Sequence, residues 1–213
     1  MKIVTYRSAA GDKTGVVDGE QVIDLESCGF AGNMIDLLTA GIDVAAISSK
    51  LDQGTAIPLA DVELLAPVPD PGKVLAIGLN YGDHIAESGM EAPKHQVWFN
   101  KQHNCINGPY APINLPSVSP MLDYEAELCL VIGKKCKHVP RERAHEVIAG
   151  YFCGNDVSVR DWQLRAQTFQ IGKSFDTHGP IGPWLVTPDE VGDPHALDIR
   201  CLVNGEVRQD SNT

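Results

Sequence analysis

The sequence predicts an α+β fold that is mostly β. Short apolar runs closed by glycine, proline or asparagine outnumber the stretches with helical spacing throughout the 213 residues. Residues 204–205, Asn-Gly between two extended pieces, give a strong two-residue hairpin signal. Apolar content of 43% with 21% charged residues is enough to bury a full core.

In chain order, residues 2–6, 14–17 and 21–25 alternate apolar and polar, with turn residues at 9–13 and 18–20, and form a small β-rich lead. Residues 33–41 and 43–51 carry Leu, Ile and Ala at helical spacing. Four prolines between Pro58 and Pro71 mark a connector. Two parts are thus expected: residues 1–70 as a small β-rich domain with its connector, and residues 71–213 as the main domain. The main domain opens with an apolar strand at 73–79, then a turn and a short helix stopped by Gly89. Extended pieces follow at 97–101, 105–108 and 113–115. A helix is expected at 141–148 behind Pro140, a strand from 150 that breaks at Asn155-Asp156, and a helix at 162–169. Residues 179–183, Gly-Pro-Ile-Gly-Pro, read as a rigid turn. Strands at 185–187 and 199–203 and the hairpin return at 206–209 complete the series.

Residues 122–133 organise the main domain. The run 128–132 reads as a buried strand closed by Gly133, and it is preceded by Asp123, Glu125 and Glu127 at alternate positions. Alternate side chains on a strand leave the same face, roughly 6–7 Å apart. Two carboxylates about 5 Å apart at an effective dielectric near 20 repel by about 3 kcal/mol. A lone acid pair would suit a solvated edge. A pair running into a buried segment, with Asp156 downstream, points to a bound cation. His84 and Glu87 are three residues apart, neighbours on one helical face; taken alone they read as a surface pair.

The formal net charge of −11 argues against a nucleic-acid partner or an anionic membrane surface, since each needs a basic patch. An anionic substrate would then need local positive charge from a metal or a buried lysine. Six scattered cysteines without a CxxC pair, and no signal peptide at residues 1–7, are what a cytoplasmic protein shows. No run approaches the ~20 apolar residues of a membrane span. Gly172-Lys173-Ser174 lacks the earlier glycine of a phosphate loop, because position 167 is Gln167.

Four motifs together resemble the fumarylacetoacetate hydrolase family, nearest its domain-containing-protein-2-like branch. They are Gly78-Leu79-Asn80-Tyr81 with His84; Asp123-Tyr124-Glu125-Ala126-Glu127; Asn155-Asp156 through Asp161-Trp162-Gln163; and Gly172-Lys173-Ser174-Phe175-Asp176-Thr177. The resemblance covers residues 73–213 and implies a mixed β-roll, a homodimer, and action on anionic 2-oxo and 1,3-dicarbonyl acids. It implies Glu125, Glu127 and Asp156 as ligands of a divalent metal, a His84–Glu87 catalytic dyad, and Lys173 and Gln163 lining the site. An oxygen-only set suits Mg²⁺, or Mn²⁺ or Ca²⁺. Members of the family continue past this hairpin, so residues 1–213 are expected to be part of a longer chain and to fold poorly alone.

The implied chemistry starts with a metal-chelated 2-oxo acid; His84 then takes a proton and Lys173 stabilises an enolate. Carbon–carbon hydrolysis is the leading outcome, with a tautomerase, isomerase or decarboxylase as alternative. A non-catalytic carboxylate or metal binder has no use for the dyad, and a regulatory fragment is a third possibility.

Overall fold

Strands β1 (Lys2–Ser8), β2 (Gly11–Asp18) and β3 (Gln21–Asp24) form an antiparallel meander in the computed structural model, which describes residues 1–213. Four consecutive residues of β1, Ile3 to Tyr6, are buried, because the strand lies inside the sheet and both faces are covered. Ile3 joins Val16 and Leu25 on one side; Val4 and Tyr6 join Val22 on the other. The side holding Ile3 is closed by α1 (Met34–Ala40) and α2 (Val44–Ser48), which bury Met34, Leu38 and Ile47 against it. Asn33 caps α1 by accepting from Ile35 N and Asp36 N, while Asp36 accepts from Asn33 N. This reciprocal pair satisfies donors that the helix start leaves free.

The proline-rich connector contains two short strands, β4 (Ala56–Pro58) against β3 and β5 (Glu63–Leu64) against β1. Beyond it come β6 (Val74–Gly78), α3 (Gly82–Ser88), β7 (Val97–Lys101), β8 (Ile106–Asn107), β9 (Leu122–Asp123) and β10 (Ala126–Ile132). Then follow β11 (Ile148–Asn155), β12 (Ser158–Val159), α4 (Arg160–Gln163) and α5 (Gln170–Lys173). The chain closes with β13 (Gly179–Val186), α6 (Pro188–Val191), β14 (Asp198–Val203) and β15 (Glu206–Asn212). A nine-stranded sheet runs β10-β11-β13-β1-β2-β3-β4, with β5 on β1 and β8 on β13. The pairs β6–β7, β9–β12 and β14–β15 are separate two-stranded sheets. No helix is long and apolar enough to cross a membrane.

The sequence division at residue 70 does not divide this sheet. Lys2 and Ile3 of β1 pair with Val186 and Leu185 of β13, and one apolar cluster takes Ile3, Met34 and Ile47 together with Phe152, Ile181 and Leu185.

Five local expectations are corrected. Residues 179–183 are the first half of strand β13 and not a turn. There Gly179 pairs in parallel with Ile106, and a Cβ on it would sit 2.8 Å from Cys105 Sγ, so the glycine permits close strand approach. The helix at 162–169 shrinks to Arg160–Gln163, and that at 141–148 is a run of 3₁₀ turns, Arg141–Val147. Residues 113–115 pair with no strand. Residues 122–132 are not one buried strand: pairing stops at Asp123 and resumes at Ala126. Because β10 is the sheet edge, Leu130 and Ile132 are about half exposed, 49% and 54%.

Candidate active site

The interruption between β9 and β10 is where the site forms. Glu125 N donates to Asn155 Oδ1 at 2.9 Å, and Asp156 N donates to Glu125 O at 2.8 Å. These bonds bring the end of β11 against the gap and put Asp156 beside Glu125. Four carboxylates gather here, Asp123, Glu125, Glu127 and Asp156, with three cations.

Lys173, at the end of α5 and only 2% exposed, donates to Glu125 Oε2 at 2.6 Å and to Asp156 Oδ2 at 2.9 Å. Lys101, the last residue of β7, donates to Asp156 Oδ1 at 2.6 Å. Arg160, the first residue of α4, reaches Asp123 Oδ2 at 2.8 Å, Glu125 Oε1, and Gln163 Oε1 at 2.9 Å. Burial alone would raise the Asp156 carboxyl, but Lys101 and Lys173 together hold it below the usual carboxylate range.

Glu127 is the exception, since no cation pairs with it. Its carboxyl is pushed up to about 7, first by burial and then by the charges of Glu125 and Asp156; a hydrogen bond to the Tyr81 phenol partly offsets this. With every group ionised, four negative charges face three positive ones, so the cluster carries one net negative charge.

The expected metal ligands Glu125, Glu127 and Asp156 are therefore neighbours, but they are not gathered at coordinating distance: no three acidic, histidine or cysteine side chains are placed to hold an ion. Glu125 and Asp156 direct their oxygens at ammonium and guanidinium groups instead. The donor set still fits a hard divalent cation in its chemistry. It is all oxygen, its third carboxylate lacks a counter-charge, and two of its members already share one bound cation, the Lys173 ammonium.

His84 and Glu87 stand apart from the carboxylate cluster's ion pairs. Both lie on α3 at helical spacing, yet both side chains are exposed and no ion pair joins them. The helix itself is tied to the site through Tyr81, whose hydroxyl accepts from Leu128 N at 3.3 Å. Gln163 is in the site, with its carbonyl oxygen held by Arg160 and its amide NH₂ left as donor.

Arg160, Lys101 and Tyr81 were not assigned roles from sequence. Arg160 and Tyr81 stand inside quoted motifs, which is a usable signal. Lys101 ends an apolar strand, and only the fold places it against Asp156. An open cleft of about 430 Å³ lies just beyond Lys173, lined by Asn114, Pro116, Ser174, Phe175, Asp176 and His178. It excludes the four clustered carboxylates, whose ion network marks the chemistry better than the volume of that cleft does.

The mitochondrial oxaloacetate tautomerase fahd2 of Xenopus laevis is 40% identical over 223 residues, which cover 100% of this chain and 70% of that protein. The solved fumarylacetoacetate hydrolase of Exiguobacterium antarcticum superposes with a TM-score of 0.87 at 32% identity, over 100% of this chain and 75% of that one. Maleylpyruvate hydrolase from Sphingobium sp. SYK-6, solved with manganese(II) and pyruvate, gives a TM-score of 0.82 at 34% identity, over 100% and 76%. The family model described as the fumarylacetoacetate hydrolase C-terminal region matches residues 73–213, the stretch that holds every carboxylate and cation of the cluster, and the chain belongs to this enzyme family.

Proposed function

We propose that the protein is a divalent-metal-dependent tautomerase that interconverts the enol and keto forms of a small 2-oxo dicarboxylate such as oxaloacetate. The observation that carries this is the partly buried cluster of Lys173, Arg160, Glu125 and Asp156, which with a divalent ion among its carboxylates would hold an anionic 2-oxo acid. A divalent ion, held by Glu125, Glu127 and Asp156, would supply Lewis-acid polarisation of the 2-oxo group.

The chain's own residues do the rest. Lys173, buried, and Arg160, partly buried, present positive charge where it is worth more than in water, and favour an enolate oxygen over a neutral carbonyl. Gln163, its carbonyl fixed by Arg160, offers its NH₂ to a substrate oxygen. His84, exposed on α3 with Glu87 one turn on, is assigned the role of proton carrier. Tautomerisation asks only that one proton leave carbon and one reach oxygen, so it needs no paired base holding a water.

Similarity over the whole chain to an oxaloacetate tautomerase supports the same choice. Hydrolysis of a carbon–carbon bond is the second reading, favoured by the likeness to maleylpyruvate hydrolase. A homodimer belongs to the proposal as well. Exposed Leu130 and Ile132 on edge strand β10 and Leu202 and Val207 on the β14–β15 hairpin are apolar surface for a second copy to cover.

The test follows loss of enol absorbance of oxaloacetate with Mg²⁺ or Mn²⁺, beside pyruvate release from acylpyruvates. Accelerated ketonisation without pyruvate release is the expected result. Pyruvate release at comparable kcat/KM would replace the tautomerase with a hydrolase.

A further inference from the structure

Strand β15 alternates in burial over its last residues: Arg208, Asp210 and Asn212 are exposed, while Gln209 and Ser211 face inward. The β14–β15 hairpin is a sheet of its own, so it joins no ladder of the large sheet. Its two inward side chains both end on segments of the proposed site. Gln209 Oε1 accepts from Ala126 N at 2.8 Å. Ala126 stands between Glu125 and Glu127, at the restart of β10, where the main chain has only just left its irregular step. Ser211 Oγ donates to Asp83 Oδ2 at 2.5 Å, in the first turn of α3, next to His84. Residues 209 and 211 are about 7 Å apart along one strand face. One rigid element therefore touches the carboxylate segment and the histidine helix at once.

We propose that β15 is a strut, with Gln209 and Ser211 as positioning residues that hold the Glu125–Glu127 step and helix α3 in register with each other. Neither touches the reacting atoms; each acts through the segment it grips. The inference rests on the tautomerase reading for what is being aligned, but the alignment itself is a property of the fold. α3 is only seven residues long and fully buries no side chain, so isolated it would be marginal. Its ties to the body are Tyr81 at the start and Ser211 in the first turn. The amide of Ala126 has no strand partner on the β15 side, so Gln209 supplies the acceptor a neighbouring strand would otherwise give.

The experiment compares wild type with Gln209→Met, which keeps length and removes the acceptor, Ser211→Ala, and the outward-facing Asp210→Ala. Hydrogen–deuterium exchange over residues 82–88 and 126–132, kcat and KM with oxaloacetate, and thermal melts are measured for each. For Ser211→Ala, faster exchange in 82–88 and a fall in kcat of about 10- to 100-fold at little-changed KM are expected. For Gln209→Met, faster exchange should appear in both segments, including α3, which Gln209 does not touch. Asp210→Ala should match wild type in exchange and kinetics. Gln209→Met exchange confined to 126–132, or losses of kcat that only track the melting temperature, would overturn the strut. If wild type shows no tautomerase activity, the function fails while the exchange arm still decides the strut.

Discussion

Glu127 is the residue whose surroundings say most about what the site lacks. Glu125 and Asp156 each have cations within 3 Å, whereas Glu127 pairs with no cation and bonds only to a phenol. Replacing it by Gln removes an uncompensated charge while keeping shape. Metal-free Glu127→Gln should therefore melt at or above the wild-type temperature, whereas Mn²⁺ binding, followed by loss of the free-ion EPR signal, should weaken at least tenfold. Unchanged Mn²⁺ affinity would take Glu127 out of the ligand set. A second residue reports on the other face of the sheet. The Tyr6 hydroxyl is pushed up to about 12, by burial first and by nearby Asp24 second. A raised phenol contributes stability that is fully present below its unfolded pKa near 10 and is lost as pH rises through 12. Tyr6→Phe should match wild type at pH 8 and lose less stability between pH 10 and 12, read from urea midpoints. Parallel decline of both proteins would show that Tyr6 does not titrate in that window.

At the scale of elements, α4 and α5 depend on Gly172, whose place in a family motif gives no hint of the close contact it makes. A Cβ on Gly172 would meet Gln163 N at 2.2 Å and Gln163 Cα at 2.5 Å. Backbone cannot yield as a side-chain tip can, so α5 packs on α4 only through that glycine. The contact sets the spacing between Lys173 on one helix and Arg160 and Gln163 on the other. Gly172→Ala should therefore separate the helices and lower kcat/KM by about 10- to 100-fold, and a variant with wild-type kinetics would show that the spacing is slack. The same scale explains what was legible. Strands β1, β2, β3, β6, β7 and β14 follow directly from alternation and apolar runs, and the Asn204-Gly205 hairpin has both residues at positive φ, 53° and 84°, as its turn requires. The split of β9 from β10 was hidden, because it is made by Asn155 and Asp156 bonding to the Glu125 backbone, thirty residues away in sequence. The cation side of the site was half hidden for the same reason: a lysine such as Lys101 carries no periodic signal, and its role appears only where β7 meets Asp156. His84 and Glu87 show the reverse, since their helical spacing was read correctly and yet spacing alone did not pair them.

For the whole molecule, the question is whether residues 1–70 melt with the rest. Ile3 is fully buried in β1, pairs with Leu185 of β13, and packs in a cluster that also holds Phe152 and Ile181. Removing buried methylenes there leaves a cavity bounded by both parts of the chain. Ile3→Ala should cost roughly 2–5 kcal/mol, or about 2–4 °C of melting temperature for each kcal/mol at this chain length. Trp98 and Trp162 lie beyond residue 70, and so does Trp184, which packs on Val4, Tyr6 and Val22 of the meander and is therefore replaced by Phe in both proteins for this measurement. If one core serves the whole chain, the Ile3→Ala melt followed by tryptophan emission must shift as far as the melt followed by far-UV circular dichroism, in one transition. A tryptophan transition left in place while part of the dichroism signal melts early would mean that the meander unfolds by itself. The continuous sheet from β10 to β4 makes the single transition the expected outcome, since breaking the β1–β13 pairing exposes the apolar cluster on which Phe152, Ile181 and Leu185 also depend.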